Sequence, residues 1–250
     1  MIKTEIRDRI ATIELARPDK KNALTAAMYA AMTESLAGAQ SDPGVRAILI
    51  HGTSDCFTAG NDLKDFLQGP AGASLALRFV SALSKVAKPV VAAVGGPAVG
   101  IGTTLLLHCD LVYATPGARF QLPFVPLGLV PEAASSLLLP RLAGYQRAAA
   151  WLLLGQAFTA AEALAAGIVT EIVPPETLLE RARTAAAALA ALPPESVRLT
   201  KQLMKRPLAA AVAEQMAEEA RLFAERLQSA EAKEAMAAFI EKRKPDFSRF

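Results

Sequence analysis

The chain has 250 residues, 52% of them hydrophobic, with 27 basic against 24 acidic side chains and a net charge of +3. This is enough chain for one main domain with an appendage and too apolar for a disordered one, and the charge is too balanced for a nucleic-acid-binding surface, although mild basicity suits an anionic small ligand. Two cysteines, Cys56 and Cys109, make neither a disulfide framework nor a metal site, and together with the absence of a signal pattern or a peroxisomal ending they predict a soluble cytoplasmic protein.

Residues 2–16 alternate Ile2, Ile6, Ile10, Ile13 and Leu15 with charged neighbours, and Asp8-Arg9 takes the turn position, so an N-terminal β-hairpin is expected. A polar loop, Arg17 to Asn22, leads to Thr25, which caps a helix running to about Gln40. Val45 to His51 reads as a buried strand. After it, Phe57-Thr58-Ala59-Gly60-Asn61-Asp62 forms a small-residue turn that opens a further helix. A helix over 74–87 leads to a second buried strand, Pro89 to Val94, then Gly95, Gly96, Pro97, Gly100 and Gly102, and a helix beginning near Thr103. Leu111 to Ala114 is a strand. Two strand, turn and helix units imply a layered α/β core whose strand ends present two backbone turns to one pocket.

Helices follow over Ala133 to Leu142 and Tyr145 to Leu154. A short helix opens at Thr159 and ends at Gly167, and Ile168 to Val173 reads as a strand. From Pro174 onward the pattern is helical, over 176–192, 195–204 and 208–241, with prolines 193, 194 and 207 as breaks. We divide the chain into a core, residues 1–192, and a helical C-terminal region, residues 193–250, that covers the site or packs on other subunits.

The chemistry concentrates between Lys88 and Ser136. Bare N–H groups in a glycine turn at a helix start cradle negative charge, either a phosphate or a developing oxyanion. Residues 89–109 carry no formal charge, but four glycines and an internal proline argue against a membrane helix, and no membrane partner is expected. No Gly-Lys-Ser/Thr ending marks a phosphate loop, and Gly95, Gly100 and Gly102 miss the dinucleotide spacing. The stretch closes on Leu127-Gly128-Leu129-Val130-Pro131-Glu132, where one carboxylate sits in uncharged surroundings and is the candidate for the chemistry. Glu132 alone also fits an ordinary first-turn helix glutamate. His51 and His108 lie in apolar runs and read as core histidines, without a serine or cysteine context for a nucleophilic triad.

FTAGNDLKDF and KPVVAAVGGPAVGIGTTLLLHCDLVYA, in this order, resemble the crotonase (enoyl-CoA hydratase/isomerase) family, and the likeness extends to RPDKKNAL, to residues 158–173 and to FIEKRKPDF. The resemblance implies a spiral of repeated ββα units with a helical C-terminal region, assembly as a homo-trimer or hexamer, and acyl-CoA thioester substrates, with coenzyme A as part of the substrate and neither a separate cofactor nor a metal. It implies an oxyanion hole from the backbone N–H groups of Asn61 and Ile101, each donor of this type contributing roughly 3–4 kcal/mol to the transition state. Lys20, Lys21, Ala59, Asp62, Leu63 and Lys242 are the implied CoA contacts, Asp62 reading either as a helix cap or as a backbone contact to the adenine pocket.

Family membership leaves the reaction open. The two glutamates used by the family's hydratases fall here on Thr104 and Phe124, neither of which performs acid–base catalysis. LGLVPEAASS and AGNDLKDF are similar instead to the Δ3,Δ2-enoyl-CoA isomerases, whose single glutamate stands where Glu132 does. One carboxylate suffices for moving a double bond, and Phe66, Phe124, Leu127 and Leu129 are expected to form a dry acyl pocket that raises its pKa, against the opposing pull of a helix N-terminus at Pro131. The alternatives are a hydratase or another acyl-CoA reaction on the same oxyanion site, and a non-catalytic acyl-CoA-binding protein.

Overall fold

The computed structural model describes residues 1–62 and 70–250. β1 (Ile2–Arg7) and β2 (Ile10–Leu15) form the expected antiparallel hairpin. Asp8 and Arg9 at its turn both have positive φ, 50° and 64°, the left-handed pair whose twist matches that of the flanking strands. From β2 the sheet continues in parallel through β3 (Ala47–His51), β4 (Val90–Val94), β6 (Leu111–Ala114) and β9 (Glu171–Ile172), in the order β1-β2-β3-β4-β6-β9.

Every residue of β3 and β4 is buried, because both faces of the sheet are covered. The alternation of a strand decides which face each residue serves. Ile48, Ile50, Val90, Ala92 and Val94 join the main core with Tyr29, Met32 and Leu36 of α1 (Ala26–Ser41) and Phe79 and Leu83 of α2 (Pro70–Ser84). Ala47, Leu49, Val91, Ala93 and Tyr113 face the other way, onto the alanines of α7 (Leu178–Ala191). Each large aliphatic side chain so buried contributes roughly 1.5–3 kcal/mol relative to exposure, before the entropy of ordering it.

The repeat is a strand of the large sheet, a short strand in a second layer, then a helix. After β3, Thr58 bridges Ala98 in parallel. After β4 come β5 (Pro97–Val99) and α3 (Ile101–Thr104), and after β6 come β7 (Arg119–Gln121) and α4 (Ser135–Ala143). β5, β7 and β8 (Phe158–Thr159) make a three-stranded sheet that the sequence does not foretell; at two or three residues each they are too short for a period-2 pattern to register.

Several boundaries differ from expectation. The helix expected from Ala133 begins at Ser135, since Ala133 and Ala134 have φ of 62° and 54°, left-handed values incompatible with a right-handed helix. The strand expected over 168–173 is confined to Glu171–Ile172. The expected helix over 208–241 is two, α9 (Ala209–Leu227) and α10 (Ala230–Glu241), because the Ser229 hydroxyl accepts from the Ala232 N–H and caps a new start. Between α4 and α7 lie α5 (Tyr145–Leu153) and α6 (Ala160–Ala165), the latter opened by the Thr159–Glu162 capping box. α8 (Pro194–Lys205) is tied to the segments that enter β4 and β6 by buried Lys201, which donates to Asp110 Oδ2 at 2.6 Å and to the Lys88 carbonyl at 2.7 Å. The helix expected after Asn61 lies outside the described residues.

Candidate active site

The two backbone turns meet as the repeat requires. Gly60, at φ 90°, lies so close to β5 that an added Cβ would stand 2.9 Å from the Val99 carbonyl oxygen, an approach available to glycine alone. Asn61 follows, bridged in parallel to Leu24 so that the Gly60 carbonyl and the Asp62 N–H take the Leu24 partners. The Asn61 N–H is left without an acceptor among the described residues. Gly100, at φ 56°, turns the chain from β5 into α3, whose first residue is Ile101. A first-turn N–H has no partner within its own helix, and the Ile101 N–H has no acceptor elsewhere among the described residues.

Asn61, Gly100 and Ile101 line a cavity of about 620 Å³ together with Arg17, Lys20, Ala59, Asp62, Phe124, Leu127 and Leu129. Phe223 of α9 and Met236 and Phe239 of α10 complete its wall. Phe124 and Phe223 meet edge to face, their ring centroids 6.5 Å apart. Three of the four expected acyl-pocket residues therefore share one cavity, and the fourth, Phe66, lies outside the described residues, as does Leu63.

The expected CoA contacts are only partly assembled. Lys20 and Ala59 line the cavity, whereas Lys21 and Lys242 do not. Lys242 ends α10 in a left-handed cap whose N–H bonds back into the helix. Asp62 reaches the cavity, but its N–H is committed to the Leu24 carbonyl at 2.9 Å and its carboxylate accepts from Arg17 Nη1 at 2.7 Å. The Asp62 carboxylate thus forms an ion pair that ties the first loop to the AGND turn.

Glu132 is not among the lining residues; it is buried, 3% exposed, and connects to the cavity through its neighbours. Thr104, at the end of the helix that Ile101 begins, shares its hydroxyl between the Ile101 carbonyl and Glu132 Oε1, each at 3.4 Å. Tyr29 donates its hydroxyl to the side-chain oxygen of Asn61, and the Glu132 charge acts on it: burial first, and Glu132 second, push its ionisation well above the usual phenol range. Burial likewise raises the Glu132 carboxyl from 4.5 to about 7, the negative charge of Glu219 adds to the rise, and the Thr104 hydroxyl opposes it. The helix N-terminus anticipated at Pro131 lies instead at Ser135, three residues beyond Glu132 and after two left-handed alanines.

Sequence reasoning misses three residues around Glu132. Tyr29 reads as one more apolar position of α1. His108 is the core histidine expected, but its Nε2–H also donates to the Ala133 carbonyl at 2.8 Å, beside Glu132. Glu219 on α9 accepts from the Ala134 N–H at 2.6 Å, from the Ser136 N–H at 3.1 Å and from the Ser136 hydroxyl. A signal for it is present: Glu219 falls on the apolar stripe of its helix, three residues after Met216 and four before Phe223. Among the described residues no cluster of histidine, cysteine and carboxylate side chains is arranged to hold a metal ion.

A profile of the enoyl-CoA hydratase/isomerase family matches residues 5–249. The chain belongs to this family. It is similar to a solved enoyl-CoA hydratase/isomerase from Pseudoalteromonas atlantica T6c, 43% identical over 99% of both chains with a TM-score of 0.93, and shares its crotonase fold. Enoyl-CoA delta isomerase 2 of Rattus norvegicus is 40% identical over 205 residues, 79% of this chain; the chain spans about half, 52%, of that relative's length. A probable enoyl-CoA hydratase, echA8 of Mycobacterium tuberculosis (strain CDC 1551 / Oshkosh), is 33% identical over 250 residues, 99% of this chain and 97% of the relative. Family membership thus accords with relatives named for either reaction, and the site residues must decide between them.

Proposed function

We propose that the protein is an enoyl-CoA isomerase that moves the double bond of a 3-enoyl-CoA to the 2-position, with Glu132 as the single acid/base. The observation that carries this reading is the state of the carboxylates near the cavity. Among the described residues Glu132 accepts one long hydrogen bond, from Thr104, whereas Glu219, another buried carboxylate nearby, has both oxygens engaged by Ala134 and Ser136. A hydration that needs two free carboxyl groups lacks the second one among the described residues, because Thr104 and Phe124 occupy the positions that the family's hydratases give to glutamates.

The thioester oxygen is received by the Asn61 and Ile101 N–H groups. Glu132 takes a proton from the α-carbon, the electron pair moves into the carbonyl to give a dienolate, and the two amides hold the oxyanion. The same carboxyl returns the proton to the γ-carbon, which leaves the double bond conjugated with the thioester and adds no water. A carboxyl titrating at about 7 suits both halves of this exchange, since it takes and releases a proton at neutral pH with comparable ease. Tyr29 stays a neutral donor, holds the Asn61 side chain, and has no role as a base. Phe124, Leu127, Leu129 and Phe223 keep the reacting chain dry, and Lys20 at the cavity wall supplies positive charge toward the CoA phosphates.

We further place the protein in the cytoplasm as a homo-trimer or hexamer. Among the described residues no helix is long and apolar enough to cross a membrane, both cysteines are unpaired, and Leu203 and Met204 on α8 are more than half exposed, which supports association.

The test is incubation with 3-hexenoyl-CoA and, separately, with crotonyl-CoA, with products identified by mass and chromatography. Conversion of the first alone to its conjugated isomer, with loss of activity in Glu132→Gln, supports the assignment. Comparable hydration of crotonyl-CoA transfers the protein to the hydratases, and tight thioester binding without turnover makes it a binding protein.

A further inference from the structure

The turn that carries Glu132 is held in a conformation its own sequence disfavours. Ala133 and Ala134 both have positive φ, at 62° and 54°, where the Cβ of any residue but glycine crowds the following carbonyl oxygen. Such a turn persists only where its surroundings over-determine it. The Ser135 N–H closes the turn locally on the Glu132 carbonyl at 3.0 Å, and further restraints come from two elements distant in sequence. His108 fixes the Ala133 carbonyl, and Glu219 fixes the Ala134 N–H together with the N–H and hydroxyl of Ser136. Gln215, one helical turn before Glu219, donates Nε2 to the Ser136 oxygen at 2.9 Å, which directs the serine proton toward Glu219. Every bond that Glu219 makes thus ends on the segment directly following Glu132, and Glu219 itself is 3% exposed.

Taking Glu132 as the base proposed above, we propose that Glu219 is its positioning residue: the carboxylate of the C-terminal helix α9 clamps the left-handed Ala133–Ala134 turn and so aims Glu132 at the substrate's α- and γ-carbons. A hydrophobic residue here would leave the Ala134 and Ser136 donors buried without acceptors, and a basic one would repel them. A side chain that bonded only within its own helix would serve packing; Glu219 instead joins the C-terminal region to the chemistry of the core. Its charge also acts on Glu132 through space, in the same sense as burial. The polar and titratable groups facing Glu132 are Glu219 from α9, Thr104 from α3 and Tyr29 from α1. His108, beyond the turn, is neutral at pH 7, since burial lowers it to about 4.

The experiment compares Glu219→Gln with the parent protein in two readouts. The glutamine keeps the shape, loses the charge, and can accept on only one of its two ends. Turnover of 3-hexenoyl-CoA is expected to fall about 10–100-fold in kcat with KM changed less than about threefold, because the error is one of aim and not of binding. The acidic limb of the pH–kcat profile is expected to move to lower pH as the repulsion on Glu132 is relieved. A purely structural role would lower Tm without moving that limb. Independently of turnover, the Tm gain produced by Glu132→Gln at pH 8 is expected to shrink in the Glu219→Gln background, and an undiminished gain overturns the coupling.

If Glu219→Gln does not fold, Ser136→Ala removes one of the three clamping bonds, and a several-fold fall in kcat at constant KM is expected from it. An unchanged kcat overturns the proposal. A parent protein that isomerises 3-hexenoyl-CoA while Glu219→Gln matches it in kcat and pH limb refutes the role of Glu219 and leaves Glu132 standing. A parent protein that does not isomerise it refutes the role of Glu132, and the Tm comparison still decides whether Glu219 is coupled to Glu132.

Discussion

Replacing Glu132 by glutamine is expected to make the protein more stable as it removes the activity. The carboxyl is 3% exposed and titrates at about 7 in the fold against 4.5 in a free chain. Between those values the folded state holds a proton that the unfolded state has released, so the unfolding free energy falls as pH rises. At about 1.4 kcal/mol per pH unit, the full difference is about 3 kcal/mol, absent below pH 4.5 and complete above pH 7. Glutamine offers the same shape and the same oxygen to the Thr104 hydroxyl but carries no charge at any pH. The difference in unfolding free energy between Glu132→Gln and the parent should therefore be small at pH 4.5, grow through pH 6, and level off near 3 kcal/mol above pH 7. Urea unfolding at a series of pH values measures it, at one protein concentration because association adds to apparent stability. A difference that stays constant from pH 4.5 to pH 8 refutes the claim that Glu132 is a buried, destabilised carboxyl, and with it the physical basis for its role as a base.

The same ionisation should appear in catalysis. The base acts only when deprotonated, so kcat/KM for a 3-enoyl-CoA should rise with pH as a single ionisation centred near 7, and a profile flat from pH 5.5 to 8 speaks against Glu132. Gly96→Ala should unfold the protein or lower its stability by roughly 3 kcal/mol or more, since the new Cβ would stand 1.8 Å from the Asp55 carbonyl oxygen at a φ of 63°; a melting temperature within a few degrees of the parent's contradicts this. Lys201→Ala should cost about 3 kcal/mol by urea unfolding, because it leaves the largely buried Asp110 carboxylate with only the Val90 N–H among the described residues. Its kcat should be unchanged, which separates it from Glu219→Gln.

How much of this is legible in the sequence depends on the range of the interaction that fixes each feature. Elements set by local chemistry are readable: the hairpin by alternation, α1 by the Thr25 cap whose hydroxyl accepts from the Met28 N–H, and α6 by its capping box. The proposed oxyanion donors come from the family resemblance and not from any local pattern; the requirement proposed for them is a backbone one, an N–H after the left-handed Gly60 and Gly100, which isoleucine at position 101 can meet. The helix expected from Ala133 misleads for the opposite reason. Ala-Ala-Ser-Ser-Leu-Leu-Leu has ordinary helical propensity, and nothing local says that its first two residues turn left-handed. That outcome is set by His108, 25 residues earlier, and by Glu219, 85 residues later than Ala134.

The position of the candidate base therefore belongs to the whole chain. Glu132 gains its proton affinity from burial, to which the charge of Glu219 on the C-terminal helix α9 adds. Its proposed direction follows from a strained turn that the Ser135 N–H closes locally on the Glu132 carbonyl and that the distant His108 and Glu219 hold. A buried carboxylate is costly and a left-handed alanine pair is costly, and a fold chosen for stability alone would carry neither. Their coincidence at one turn, which Thr104 links to Ile101, supports the proposed catalytic reading over that of an ordinary first-turn glutamate. Glu132→Gln removes the first cost and Glu219→Gln removes the support for the second, so the two substitutions should shift stability in opposite directions while both lower turnover.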